Sequence, residues 1–287
     1  MLNLYDNIAA NPTVFRQLNC GKSLISIYNC PLEDKFQDMW SRHNYIVYVM
    51  EGRKIWHTPD GSYDLRPGKI VLVRKGACIV EQFFDVTFCL VMFFVTDEFI
   101  CEVLKSKSTP IHSPAKKYRS VISIEANASL KMFYQSMMPY FKADHTPDQS
   151  LLHLKFRELI LAIADNPSNV EVLSYFCSLL KQPKEASLQM VMEDNFCFNL
   201  KLDEFAKLST RSLSAFKRDF LKIYNTPPGR WLMEKRLDHA LHLITNLNKT
   251  VAESAFESGF ESPSHFSRSF RDRFGRSPAS LRHAGIN

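Results

Sequence analysis

The chain has 287 residues, 45% hydrophobic and 23% charged, with a net charge of +6. That length accommodates two domains of ordinary size, and the composition is that of a globular protein rather than a disordered or collagen-like one. The longest apolar run, Phe88 to Val95, is too short to span a bilayer, and the N-terminus lacks the basic start and cleavage site of a signal peptide, so a cytoplasmic protein with no membrane segment is expected.

Residues 43–95 carry strand signals. Short β-branched and aromatic runs (HNYIVYVMEG, KIWHTPDGSYDLRPGKIVLVRKG, ACIVEQFFDVTFCLVMFFV) alternate with EG, PDG, RPG and KG, which are turn chemistry. An antiparallel meander closing into a small barrel or sandwich is expected, its aromatics (Tyr45, Tyr48, Trp56, Phe83, Phe84, Phe88, Phe93) either lining a pocket or filling a solid core. From about residue 126 to 181 the period becomes helical. The run LLHLKFRELILAIA sets Leu152, Phe156, Leu159 and Ile163 on one stripe, which is expected to form a dimerisation surface or else to pack on the chain's own barrel.

Gln182-Pro183-Lys184-Glu185 is polar and breaks the periodicity, which makes 182–185 the expected linker between domains 1–181 and 186–287. Beyond it the spacing predicts helices near 186–195, 202–208, 213–223, 228–245, 251–258, 263–273 and 278–282. The fold class is therefore α+β in two domains: an antiparallel β-barrel with trailing helices, then an all-α domain.

Within the second domain SLSAFKRDF (212–220) returns fifty positions later as SPSHFSRSF (262–270). In each copy the Phe pair (Phe216 and Phe220, Phe266 and Phe270) is spaced i, i+4, whereas Ser214, Lys217, Arg218 and Ser264, Ser267, Arg268 occupy another face. The aromatics read as core and the polar set as a contact surface. Ser212 and Ser262 are expected N-caps, and Pro263 stands at a first helical position. Each copy follows a short helix and a tight turn, so each is expected to be a helix-turn-helix unit with the repeated sentence as its recognition helix. The charge points the same way: residues 201–287 hold 15 Lys and Arg against 9 Asp and Glu, while residues 1–200 hold 21 against 21. A basic excess confined to one domain is the footprint of polyanion binding.

These residues carry a family resemblance. Residues 200–282 resemble the DNA-binding domain of the AraC/XylS family of bacterial transcription regulators, above all in KTVAESAFESGFESPSHFSRSFRDRFGRSPASLR, where Ala255, Gly259, Phe260, Ser264, Phe266, Arg268, Phe270, Phe274, Gly275, Ser277, Pro278 and Arg282 match the family pattern. In the first unit Ser209-Thr210 stands at the turn often filled by Gly, and Asn225 replaces the second Gly. The resemblance implies double-stranded DNA and RNA polymerase as partners and activation as the commoner output, with repression as the alternative. It places Ser214, Lys217, Arg218, Ser264, Ser267 and Arg268 toward base edges, and Ser212 and Pro263 at the groove edge. Arg218 and Arg268 read either as guanine contacts or as phosphate clamps and ion-pair partners. Arg230, Lys235, Arg271, Arg273, Arg276 and Arg282 are candidate phosphate contacts.

The stretch 45–76 resembles more loosely the cupin-like sensory domain found in such regulators, through its strand pattern, Gly52 and Pro67-Gly68. Control by a small effector or by a protein partner are both open. His43 and His57 do not form the His-x-His pair of a metal cupin, and neither nucleophile-elbow nor phosphate-loop motifs occur. No enzyme, metal or cofactor is expected, a metal-independent cupin-type enzyme being the distant alternative. The seven cysteines contain no C-x-x-C and read as free thiols.

Overall fold

The computed structural model describes all residues except 30–33, 85–86, 113–117, 143–145, 182–183 and 284–287, and only the backbone of 29, 184–187 and 282–283. It divides into two compact domains, Leu2–Gln182 and Pro183–Asn287. Gln182 and Pro183 of the expected linker lie outside the described residues. Lys184 and Glu185 already belong to the first helix of the second domain, two residues earlier than the sequence pattern places its start.

The first domain opens with β1 (Leu2–Asn3), α1 (Leu4–Ala10), β2 (Gln17–Cys20) and β3 (Ser23–Asn29), then β4 (Phe36–Ser41), β5 (Asn44–Glu51), β6 (Lys54–Thr58) and β7 (Gly61–Leu65). It continues through β8 (Ile70–Val73), β9 (Gly76–Gln82), β10 (Cys89–Val95), α2 (Asp97–Lys105) and β11 (Val121–Ile124), and ends in α3 (Ala128–Lys142), α4 (Gln149–Ala164) and α5 (Val170–Lys181). The strands form two sheets, β1-β4-β9-β6-β7 and β11-β8-β5-β10-β3-β2. Of the expected barrel or sandwich the structure has the sandwich, its sheets not closing into a barrel; every pairing is antiparallel except β1 with β4.

The six-stranded sheet is covered on both faces, and β10 shows why its sequence is apolar throughout. Leu90, Met92 and Phe94 point into a core shared with the five-stranded sheet. Val91, Phe93 and Val95 point into a second core shared with the helices. A strand buried on both faces has no polar alternation to display. Tyr45, Trp56 and Phe88 fill the space between the sheets, Tyr48 and Phe93 face the helices, and Phe84 is 65% exposed. Gly52, at the β5–β6 turn with φ +76°, has no room for a Cβ against the Thr87 carbonyl.

Leu152, Phe156, Leu159 and Ile163 are each 0% exposed, packed with α2, α3, α5 and the six-stranded sheet inside a single chain. Of the two readings of this stripe, the single chain shows the second, packing on its own domain. Covering the outer face of a sheet whose other face is already occupied needs the whole stripe, and none of it is left over for a partner. Asn169, 3% exposed, ties the turn after α4, donating to the Ile163 carbonyl and accepting from the Glu125 amide.

The second domain contains α6 (Lys184–Asn195), α7 (Leu202–Leu208), α8 (Leu213–Tyr224), α9 (Pro228–Asn246), α10 (Val251–Glu257), α11 (Pro263–Phe274) and α12 (Pro278–His283). The amphipathic pattern and capping residues place these within one or two residues of their expected bounds. Six cysteines are free thiols and Cys30 lies outside the described residues. No group of three or more His, Cys, Asp or Glu placed to hold a metal occurs among the described residues. No described helix is long and apolar enough to cross a membrane.

Candidate nucleic-acid interface

Helices α7 and α8 form one helix-turn-helix unit and α10 and α11 the other. Ser212 and Ser262 are the N-caps of α8 and α11, their hydroxyls accepting from the amides of Ala215 and His265. Each recognition helix is twelve residues long and ends on a left-handed residue, Asn225 at φ 52° and Gly275 at φ 69°. Both ends are then closed by the amide of that residue bonding four residues back, to Leu221 and Arg271. Asparagine is among the few residues that enter this region without glycine's help.

The turns inside the units are equivalent at an offset of 49, not 50. After α7 the amides of Thr210 and Arg211 bond the carbonyls of Lys207 and Ala206; after α10 those of Gly259 and Phe260 bond Phe256 and Ala255. This paired pattern around a left-handed residue is the Schellman closure of a helix. The second turn then spends one more residue, Glu261, before its N-cap. The left-handed position is Gly259 (φ +82°) in one unit and Thr210 (φ +56°) in the other.

Phe216, Phe220, Phe266 and Phe270 are each 0% exposed, so the aromatics of the repeat are core. Phe220 and Tyr224 stack at 4.4 Å and both reach Trp231 near the start of α9. Phe266 and Phe270 pack with Leu237, Ala240 and Ile244 farther along the same helix. α9 is thus the common rod of both units, and its 19 residues span ~28 Å at ~1.5 Å per residue.

On the opposite faces Ser214, Lys217, Arg218, Ser264 and Arg268 are exposed and Ser267 is half-exposed, so each set is brought together on one side of its helix. Ser212 and Pro263 are exposed at the helix starts, as are Arg271 and Arg276 farther on. Arg230 is exposed and pairs with Glu234 at 2.9 Å. Lys235 pairs with Glu193 of α6 at 2.8 Å and lies over the rings of Phe196 and Trp231. Arg273 makes bonds of 2.8 Å to both oxygens of Asp238, joining α11 to α9.

Three features were not found by reasoning from the sequence. Asp219 accepts from both Arg218 and Arg211, and these bonds outweigh the effect of its burial, which acts upward, to hold its carboxyl below the ordinary range. Arg236 donates from Nε to the Phe196 carbonyl at 2.7 Å and from Nη2 to that of Phe198, fastening the segment after α6 to α9; burial lowers its pKa to about 10. That same segment lies on the second turn, where a Cβ on Gly259 would sit 2.7 Å from the Cys197 carbonyl oxygen and where Asn199 donates to Glu261. The only sequence signal for the first was a cation and an anion eight residues apart, one in the turn and one on the helix; the others join segments about forty to sixty residues apart.

Residues 44–175 match the family model described as the ExsA N-terminal regulatory domain, and residues 205–284 match one described as a helix-turn-helix domain. The virulence regulon transcriptional activator VirF of Yersinia enterocolitica is 26% identical over 248 residues, 83% of this chain and 88% of that protein. The HTH-type transcriptional regulator ExsA of Pseudomonas aeruginosa is 27% identical over 245 residues, 82% and 85% of the two. Among solved structures, the apo form of a ToxT variant from Vibrio cholerae aligns over 93% of this chain and 98% of its own at 12% identity and a TM-score of 0.43. Two capped helix-turn-helix units on one rod, a regulatory-domain match ahead of them and similarity over most of the chain to named transcription regulators support the AraC/XylS resemblance that the sequence carries.

Proposed function

We propose that the protein activates transcription by binding double-stranded DNA with both helix-turn-helix units, under the control of its first domain. One observation carries the reading: two capped recognition helices, each burying a Phe pair and turning hydroxyls and cations outward, are held by a single helix. A rod of ~28 Å sets two readers near the ~34 Å of one DNA turn, so that they enter successive major grooves. Ser214, Lys217, Arg218, Ser264, Ser267 and Arg268 then face base edges, Ser212 and Pro263 stand at the groove edge, and Arg230, Arg271 and Arg276 meet phosphates. Lys235, whose partly exposed ammonium pairs with Glu193, belongs to the same phosphate set, as Arg230 does despite its pairing with Glu234.

Activation is favoured over repression because a relative that spans most of this chain is named a transcriptional activator. RNA polymerase is the partner this output requires, and the cytoplasm of a bacterial cell is where it meets the site. For the input, the packed core between the sheets favours a protein partner over a small effector. No catalytic role is assigned.

Titrating the full chain against promoter DNA at several salt concentrations tests the reading, since each phosphate contact releases a counterion and log affinity should fall linearly with log salt. Binding that ignores salt, or no binding, ends it. Arg268→Ala should relax base preference in one half of the site, whereas Arg276→Ala should weaken binding to all sequences alike. A reporter that is only ever lowered by the protein would replace activation with repression.

A further inference from the structure

The guanidinium of Arg218 is held along one edge and open along another. Its Nε and Nη2 both donate to Oδ1 of Asp219, at 3.2 and 3.1 Å. The end edge, formed by Nη1 and the second hydrogen of Nη2, is left outward on a side chain that is 78% exposed. That edge has the spacing of a bidentate contact to guanine O6 and N7. Asp219 is itself fixed from behind: its Oδ2 accepts from Nε of Arg211 at 3.2 Å, and Nη1 of Arg211, a side chain only 11% exposed, donates to the Ser209 carbonyl at 2.8 Å. The chain of contacts runs from the turn, through the carboxylate, to the outward arginine.

The second unit has no such support. Phe260 occupies the place of Arg211 and Ser269 that of Asp219, and Arg268 has no ion-pair partner among the described residues. An unsupported arginine loses rotamer freedom when it contacts a base, and it can settle on a phosphate instead. One already oriented by a carboxylate loses less, and the negative charge beside it disfavours a swing toward the DNA backbone.

We propose that Asp219 is a positioning residue that orients Arg218 for reading guanine, so that the first unit discriminates guanine at its arginine more strictly than the second unit does at Arg268. This rests on the reading above in which Arg218 faces base edges, and the two fail in different ways.

The experiment uses the full chain and a duplex site selected by it from a random pool, with each base pair then replaced in turn and binding measured at equilibrium. Arg218→Ala comes first and identifies the base pair whose preference depends on that arginine. If none does, Arg218 does not read a base and the proposal falls with that reading. If one does, the unsubstituted chain should prefer guanine there by about tenfold or more. Asp219→Ala should reduce this to about threefold or less, leave the other half of the site unchanged, and raise affinity for unrelated duplex, one negative charge having been removed. Asp219→Asn keeps the shape and an acceptor; its preference should lie between the two, and it serves alone if the alanine chain does not fold. Guanine preference that stays at its original strength in the folded Asp219 variants, or a uniform loss of affinity with the preference intact, overturns the proposal and leaves Asp219 as a support of the turn only.

Discussion

The two helix-turn-helix units close the same backbone turn with different chemistry. In the second, Phe260 is 4% exposed and meets Phe266 at 5.0 Å between ring centroids, an apolar plug beneath a glycine. In the first, the equivalent residue is Arg211, which reaches Asp219 on the recognition helix, beneath a threonine in a left-handed conformation. The paired backbone bonds are the same in both. Helix closure is thus set by the main chain, and the side chain three positions beyond the helix need only find something to hold, whether an aromatic core or a carboxylate. The choice has consequences. An apolar plug ties the turn to the core and is indifferent to salt, while an ion pair ties it to the contact face and leaves it open to screening.

The largest expected difference between the units follows from those two residues. Phe260→Ala should destabilise the second unit by about 3 to 5 kcal/mol, through lost burial and the cavity left. Arg211→Ala should cost the first unit less, and the loss should shrink as salt is raised. Hydrogen exchange of the full chain, resolved for α11 and α8, reads both. Equal losses, or a salt-independent Arg211 effect, would erase the contrast.

A smaller and opposite pair of effects is expected at the left-handed positions. Gly259→Ala forces a Cβ to 2.7 Å from the Cys197 carbonyl oxygen at a φ of +82° and should cost about 2 kcal/mol or more. Thr210→Gly relieves a β-branched residue of the same conformation and should stabilise its unit by about 1 kcal/mol. Thermal unfolding of the two variants beside the parent chain checks the sign of each.

The smallest difference is in acid. His239 of α9 lies against Phe196 and within 3.1 Å of the Ser258 hydroxyl at the end of α10; burial first, and then His242, lower its pKa, with Glu257 opposing. The unfolded chain therefore binds a proton there before the folded one does. The neutral contact is fully present above about pH 6.5, and stability is lost as pH falls below it. Asp219 is also depressed, but for a carboxylate the stability is present above an unfolded pKa of about 4 and disappears only as pH falls through the lower folded value. Lowering pH from 7 to 5 should reduce the protection of α10 and the adjoining turn of α9, relative to intrinsic exchange at each pH, before that of α8. His239→Gln should remove that response, and if it does not, another group titrates there.

Most of the second domain was legible because its signals are local. The Phe pairs at i, i+4, the caps Ser212 and Ser262, Pro263 and the left-handed Asn225 and Gly275 each act within one or two turns of helix, so reading them in order places α6 to α12 and separates buried from outward faces. The first domain was legible only in part. Gly52 and Pro67-Gly68 mark true turns, but β2, β3, β4 and β11 lie outside the stretch with clear strand pattern, and whether sheets close on themselves is decided by which strands pair across long separations. Asp219 was not legible because a carboxylate one position from Arg218 has no helical reason to touch it; in the folded unit the long arginine side chain curls back to one oxygen while Arg211 holds the other.

By itself the sequence determined the repeated units, their faces and the basic excess of the last 87 residues, since periodicity, capping and charge act at short range or by simple sum. The tertiary structure alone decided that Leu152, Phe156, Leu159 and Ile163 serve their own domain. An apolar stripe records that it must be covered and says nothing of what covers it; here the outer face of the six-stranded sheet, buried on its other side already, had the matching area. The same holds for the turns: both units carry the backbone pattern, but only the packed molecule decides that one is closed by a ring and the other by a carboxylate shared between two arginines.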